Sequence, residues 1–365
     1  MAEILSTLSL NGDQGTPTNG GARYTSIVTW EADQQQNLVT GGNTAVLECY
    51  TFTEEISSRF TILDWVVDAT HNVTVRAAQG HANNGVVGAG YILDAVSVGS
   101  TTFGAMAVGL NQGTVISDIS IFQAATTIGN ICISSNSSSE GANAILKNLI
   151  LRNLSTNTSA SCVKWAAFGV ECANVLVTQC GGSGFGLFSS AADSSSFKNC
   201  NAFNCNIGFD IIVPNITDVT YENCLGYDNN TDFGSGANWV GNTLTNCASG
   251  DATATGTLPQ TGVTTADFEN YAGGNYVPAT GGKLDGTGAD LSLDFTNDIA
   301  GVTRTVPWTI GAFAIPSGVT VTYALSPDSG PLPAGVTIDP ATGNLVGTPT
   351  ESGTFPDVIV RGTIS

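Results

Sequence analysis

The chain has 365 residues, and its ten Lys and Arg against 30 Asp and Glu give a formal net charge of −20. A surface with this charge repels nucleic acid and anionic membranes, so neither is expected as a partner. No apolar run reaches the roughly 18 residues that span a bilayer, so membrane insertion is not expected. The first residues lack the basic and apolar regions of a signal peptide, and export is not expected either.

The first 60 residues predict two segments. Residues 1–21 are polar and glycine-rich and read as an N-terminal arm or attachment segment. Residues 22–60 contain several aromatic side chains, including Trp30. A repeat domain exposes apolar side chains and unpaired backbone at its end, so we expect residues 22–60 to form an N-terminal cap.

A short pattern recurs through the middle of the chain: apolar residues alternate with other residues and are followed by Asn or Gln. The six clearest copies begin at Ile119, Leu149, Val175, Ser195, Val219 and Asn242, with spacings of 20 to 30 residues. This period with variable insertions is typical of a solenoid, and the alternation is that of strands. The pattern resembles that of the right-handed parallel β-helix, which we predict over residues 61–314 with a closing cap. The fold class is therefore all-β.

Two columns define the predicted alignment of the repeats. The inward apolar column contains Val75, Val98, Ile121, Leu151, Val177, Phe197, Tyr221, Leu244 and Phe268. The column two residues later lies at a corner and contains Ala77, Ser100, Gln123, Asn153, Gln179, Asn199, Asn223, Asn246 and Asn270. Asn tolerates left-handed backbone angles, and amides on successive coils can bond to each other. We therefore expect one amide ladder along one corner.

The nine cysteines are interpreted as reduced and space-filling. Their number is odd, and Cys180, Cys200, Cys224 and Cys247 share one inward position in the repeat. Spacings of 20 to 24 residues lack the close pair that a zinc site needs. We expect no metal and no cofactor.

The C-terminal 51 residues, 315–365, carry a second motif. Leu332-Pro-Ala-Gly-Val-Thr-Ile-Asp-Pro-Ala-Thr-Gly-Asn-Leu-Val-Gly-Thr-Pro349 resembles the core of the Ig-like modules of bacterial and phage surface proteins. The resemblance implies a small Ig-like β-sandwich. Such modules usually have two or more earlier strands, for which residues 314–320 are too few. We hypothesise that the β-helix end or a neighbouring subunit completes the sheet.

Two further motifs resemble β-helix proteins that are common in tailed-phage genomes and prophages. They are Arg23-Tyr24 with Trp30-Glu-Ala32 and Glu48-Cys-Tyr50, and Asp298–Arg304 followed by Trp308–Phe313. The second motif is expected to close the far end of the solenoid. The resemblance implies a virion protein, made in the host cytoplasm, that forms a homotrimer and contacts other virion proteins.

Six residues are candidates for ligand or glycan binding: Trp165, Phe168, Asp228, Asn230, Asp232 and Trp239. The aromatic rings could stack on sugars, and the Asp and Asn side chains supply oxygen ligands. The alternatives are aromatic rings that fill the solenoid and a hydrated turn at 228–232. No catalytic residue is assigned, because Lys198 and Glu222 read as a solvated pair on adjacent coils.

These features predict a structural protein of a tailed-phage virion, tailspike- or fibre-like, that attaches to host surface polysaccharide. A capsid decoration protein is the first alternative. A polysaccharide depolymerase on a β-helix scaffold is the second, and the sequence leaves catalysis open while favouring a non-enzymatic protein.

Overall fold

The computed structural model describes residues 2–57, 60–62, 65–68, 70–96, 106–110, 113–123, 131–135, 143–189, 192–234, 239–316, 321–326, 329–338, 344–354 and 358–364. The chain divides into two compact units, Met1–Ile315 and Pro316–Ser365. The first unit is a parallel β-solenoid, which confirms the predicted all-β class.

The solenoid begins with strands and helices that precede its regular coils. β1 (Ala2–Leu8) pairs in parallel with β2 (Arg23–Tyr24), and on its other side with the next strand of the same sheet. The helices α1 (Ile27–Gln34) and α2 (Leu38–Gly41) follow. Thus residues 2–8, placed in a polar arm by the sequence, form a sheet strand, because Ile4 and Leu8 on alternate positions are buried.

Seven successive coils then contribute one strand each to three parallel sheets. The first four coils are β3 (Asn43–Cys49), β4 (Thr53–Ile56), β5 (Phe60–Thr61); β6 (Val73–Ala77), β7 (Ile92–Ala95), β8 (Met106–Leu110); β9 (Val115–Ser117), β10 (Ser120–Gln123), β11 (Ile131–Ser135); and β12 (Ala144–Lys147), β13 (Ile150–Asn153), β14 (Ser161–Trp165).

The last three coils are β15 (Val170–Ala173), β16 (Leu176–Val177), β17 (Cys180–Leu187); β18 (Ser196–Lys198), β19 (Asn201–Phe203), β20 (Cys205–Ile211); and β21 (Thr220–Glu222), β22 (Leu225–Tyr227), β23 (Thr231–Phe233). β24 (Thr243–Thr245) extends the first sheet, and β25 (Ala248–Ser249) and β26 (Gln260–Thr261) extend the second. In this order the coils bury their inward side chains on one another.

The inward column predicted from the sequence merges two different sheets. Ile121, Leu151 and Val177 pair with one another in the second sheet, whereas Phe197 and Tyr221 pair in the first. Phe268 is not in a coil, because its strand pairs antiparallel with a later one, and Val98 lies outside the described residues. The prediction was wrong in this register, since the same apolar alternation precedes a corner in both sheets.

The amide ladder is likewise divided between two corners. The first corner, between the first and second sheets, is formed by Asp118, Asn148, Asn174, Asn199, Asn223 and Asn246, with φ between 50° and 64°. This left-handed backbone favours Asn and Asp among residues with a side chain. The other amides lie at the second corner, between the second and third sheets. Gln123 and Asn153 end β10 and β13 there, and Gln179 follows β16.

All nine cysteines are buried and unpaired. Cys200, Cys224 and Cys247 each follow the first corner. Cys180 instead lies in the third sheet, where its strand neighbour on the next coil is Cys205 and no disulfide joins the two. The single cysteine column of the sequence alignment is therefore wrong for Cys180. Burial raises the pKa of Cys172 and Cys224, which keeps these thiols neutral as packing groups.

Residues 263–314, the cover segment, lie against the outer face of the second sheet. The segment contains β27 (Phe268–Asn270), paired antiparallel with β28 (Asn275–Pro278), and the 3-10 helices Thr265–Asp267 and Tyr271–Gly273. Its buried side chains form a second apolar core with the outward residues of the sheet: Ile92, Phe122, Ile150, Leu176, Phe203, Leu225 and Ala248, with Val263, Phe268, Leu284, Ile299, Ile310, Ala312 and Phe313 from the cover segment. The motif expected to close the solenoid end thus runs along its side.

The described residues of the second unit form two small antiparallel sheets. β29 (Val321–Leu325) pairs with β32 (Val360–Ile364), and β30 (Val336–Ile338) pairs with β31 (Leu345–Gly347). The Gly335 backbone has φ of 84° beside β30, which explains the glycine in the Leu-Pro-Ala-Gly motif. The strands fall on the motif that predicted an Ig-like module.

Candidate functional site

A polar groove, the amide groove, follows the second corner of the solenoid. It has a volume of about 700 Å³ and is lined by amide and carboxylate side chains, among them Gln179, Asn204, Asn206, Asp228 and Asn230. Asn204 and Asp228 have φ of 54° and 59°, so the same left-handed turn recurs on successive coils. The corner geometry therefore places polar side chains in a row along the groove.

Hydrogen bonds fix these side chains relative to each other. Asn230 Nδ2 donates to Asn206 Oδ1 of the neighbouring coil at 3.0 Å. The Tyr271 hydroxyl donates to Asp228 Oδ2 at 3.2 Å and accepts from Asn204 Nδ2 at 3.3 Å. Burial and the Asp228 charge raise the pKa of Tyr271, so its hydroxyl remains a donor at neutral pH.

A second cavity, the arginine pocket, adjoins the amide groove. It has a volume of about 540 Å³, and its lining includes Arg152, Val87 and Tyr276. Thr178 and Gln179 line both cavities, so the two meet at the fifth coil. The pocket lies where the cover segment leaves part of the second sheet's outer face uncovered.

An aromatic cluster stabilises the cover segment beside the two cavities. Phe203 of the second sheet stacks on Tyr276, with centroids 4.8 Å apart, and Tyr227 contacts Tyr271 edge to face at 4.9 Å. Such pairs stabilise by about 0.5–1.5 kcal/mol beyond their area burial. Tyr271 and Tyr276 are therefore held in place without a ligand.

The six candidate residues do not form one site. Asp228 and Asn230 line the amide groove, and Trp239 borders a separate cavity with Phe233. Phe168 is exposed on the loop before β15.

The remaining two candidates, Trp165 and Asp232, are buried. Trp165 lies within the solenoid core, where it cannot stack on an external sugar, so its assignment was wrong. The Asp232 carboxylate accepts internal hydrogen bonds from Asn229, Gly250 and Asp251, and Asp232 does not line the groove.

Several residues of the two cavities escaped the sequence prediction. Arg152 and Thr178 lie on adjacent coils, as the pairing of Leu151 with Val177 shows, but neither was assigned to a site. Tyr271 and Tyr276 could not be assigned, because nothing in the repeat shows that the cover segment returns to the second corner. Lys198 and Glu222 are register partners on adjacent coils, and Lys198 Nζ donates a hydrogen bond to Asp294 Oδ2 of the cover segment at 2.8 Å.

Residues 291–363, a fifth of the chain, match the model of the family described as "Putative Ig domain". The match begins inside the cover segment and continues through the second unit. No curated protein matches the chain, and no solved structure does. The fold and this match define an all-β protein that joins a parallel β-solenoid to an Ig-like domain.

The described residues contain neither a cluster of metal ligands nor a membrane-spanning helix. No group of three or more His, Cys, Asp or Glu side chains in this part of the chain is placed to hold a metal ion. No helix among these residues is both long and apolar enough to cross a membrane.

Proposed function

We propose that the chain is an attachment protein of a tailed-phage particle, tailspike- or fibre-like, that binds host surface polysaccharide along the amide groove. The observation that carries the proposal is the row of exposed side chains Gln179, Asn204 and Asp228 at equivalent positions of successive coils, with exposed Asn230 beside them. Amides both donate and accept, as sugar hydroxyls require.

The groove suits an extended, repeating ligand. Parallel strands on neighbouring coils lie about 4.8 Å apart, so equivalent groups recur along the solenoid axis. Hydrogen bonds within the groove pre-orient Asn206, Asn230 and Asp228, which reduces the entropy lost on binding.

Binding is favoured over cleavage. Among the described residues that line the two cavities, Asp228 is the one carboxylate. Glycosidases generally use two carboxylates about 5–9.5 Å apart, one of them as a general acid. The pair expected for a depolymerase does not occur in these linings.

The placement on a phage particle is supported by the two motifs that resemble phage β-helix proteins. The acidic net charge agrees with a protein that must not bind the genome. The homotrimer and contacts to other virion proteins belong to the same proposal. A capsid decoration protein would instead occur in hundreds of copies per particle, which quantitative mass spectrometry of purified particles distinguishes.

Competition for adsorption tests the attachment function. Purified chain added to host cells should block particle adsorption, and the double variant Gln179→Ala/Asn230→Ala should not. The control variant Gln14→Ala/Gln35→Ala, which alters exposed amides remote in sequence from the groove, should block as the unaltered chain does. Equal blocking by the groove variant, or none by the unaltered chain, would exclude this function.

A further inference from the structure

Arg152 stacks on an aromatic ring and lines the arginine pocket. Its guanidinium carbon lies 4.4 Å from the centroid of the Phe122 ring on the neighbouring coil. Stacking covers one guanidinium face and leaves the N–H edge for in-plane hydrogen bonds. Its Nε is buried and, within the described part of the chain, has no hydrogen-bond partner.

The acidic side chains of the described residues do not neutralise Arg152. Arg76, Lys147 and Lys198 each have a carboxylate within 4 Å, but Arg152 does not. The nearer acidic residue in the same outward column is Asp94, two coils away across Phe122, and Glu55 lies on the coil beyond it. Burial and the adjacent Glu55 raise the pKa of Asp94, while Arg152 lowers it.

The rest of the arginine pocket adds polar groups to an apolar wall. The Thr178 hydroxyl is buried beside Arg152 on the next coil and has no partner among the described residues. The amides of Asn84, Gln179 and Asn275 also line the pocket, with Val87 and Tyr276 as apolar walls. Arg152 Nε and Thr178 Oγ1 are thus two buried polar atoms of this pocket without a hydrogen-bond partner among the described residues.

We infer that the arginine pocket binds the carboxylate of an acidic sugar, a uronic acid unit of the polysaccharide that occupies the adjacent amide groove. The inference rests on the proposed function and specifies its ligand class. The guanidinium fork matches a planar carboxylate with two parallel hydrogen bonds. A single arginine suits one negative charge better than a phosphate dianion, which usually recruits several donors.

The net charge of −20 does not prevent this binding. At physiological ionic strength, exposed charges more than about 8 Å apart are largely screened. The groups near the bound carboxylate therefore decide its affinity, and in the pocket lining they are Arg152 and neutral amides.

Calorimetry with matched oligosaccharides tests the inference. Probes are oligomers of galacturonate, glucuronate and mannuronate, each compared with its methyl ester. At least one acid form should bind about tenfold or more tightly than its ester, because hydrogen bonds to charged groups are the stronger ones. Arg152→Gln should remove this preference, Arg152→Lys should retain part of it, and Arg76→Gln should leave it unchanged.

The outcomes separate this inference from the proposed function. Equal binding of acid and ester, absence of binding by every acid, or an acid preference that survives Arg152→Gln in a variant with unchanged melting temperature would overturn the carboxylate site. Adsorption blocking that persists under those outcomes would leave the attachment function standing. Loss of blocking by the unaltered chain would remove the attachment function itself.

Discussion

The Asp232 carboxylate joins the last complete coil to the turn that follows it. Oδ1 accepts a hydrogen bond from Asn229 Nδ2 at 2.8 Å, and Oδ2 accepts from the backbone N–H groups of Gly250 and Asp251 at 2.7 and 3.1 Å. Its side chain is 1% exposed. Burial raises the pKa of Asp232 to about 6, despite these hydrogen bonds.

This raised pKa predicts a pH dependence of stability. Between the unfolded pKa near 3.8 and the folded pKa of about 6, the folded state binds more protons than the unfolded state. The contribution of Asp232 to the free energy of unfolding is therefore fully present below pH 3.8. It is lost as pH rises through 6, by up to about 3 kcal/mol. The lowered pKa of Asp251 offsets part of it.

Denaturant titrations between pH 4 and 7 measure this contribution. The unfolding free energy of the unaltered chain, relative to that of Asp232→Asn, should fall as pH rises from 4 to 7. Asn does not titrate, so the difference isolates the Asp232 proton. A difference that stays constant or rises with pH would show that the pKa is not raised.

At the scale of the element, the first corner of the solenoid also anchors the cover segment. Asn223 has φ of 54°. Its Nδ2 donates to the Ala289 carbonyl at 2.9 Å, and its Oδ1 accepts from the Ala289 N–H at 2.7 Å. Arg304 of the cover segment is buried and donates to Asn174 Oδ1 of the same ladder at 3.2 Å.

Two substitutions of Asn223 separate its two roles. Asn223→Gly keeps the left-handed backbone but removes both side-chain hydrogen bonds, at a cost of about 1–3 kcal/mol. Asn223→Ala also places a Cβ in a left-handed conformation, which costs about 1–2 kcal/mol more. Thermal unfolding should therefore rank the original chain above Gly and Gly above Ala. An Ala variant as stable as the Gly variant would contradict the left-handed corner.

The elements show why the sequence predicted the solenoid better than its register. Alternation of apolar residues followed by Asn is a local signal, so strands and corners were identified at Phe197-Lys-Asn199 and Tyr221-Glu-Asn223. Which corner an amide occupies depends on the strands paired beside it. Gln179 and Asn199 therefore fell into one predicted column although they lie at different corners.

At the scale of the whole molecule, the prediction covered the parallel β-solenoid and the Ig-like motif but only part of the candidate site. Asp228 and Asn230 were identified because the turn at 228–232 groups Asp and Asn side chains that supply oxygen ligands. The cover segment contributes Tyr276 to the pocket lining and packs along the second sheet beside Arg152. This packing is a tertiary contact between segments distant in sequence, so the sequence did not predict the roles of Tyr271, Tyr276 and Arg152. Repeat periodicity carries no information about a segment that does not repeat.

A crystal structure with a bound uronate-containing oligosaccharide would show whether one polysaccharide occupies both cavities. We predict sugar density from Asp228 and Asn230 past Thr178 to Arg152, with a ring carboxylate within hydrogen-bond distance of the Arg152 guanidinium. Sugar bound on another face of the solenoid, with both cavities empty, would contradict it.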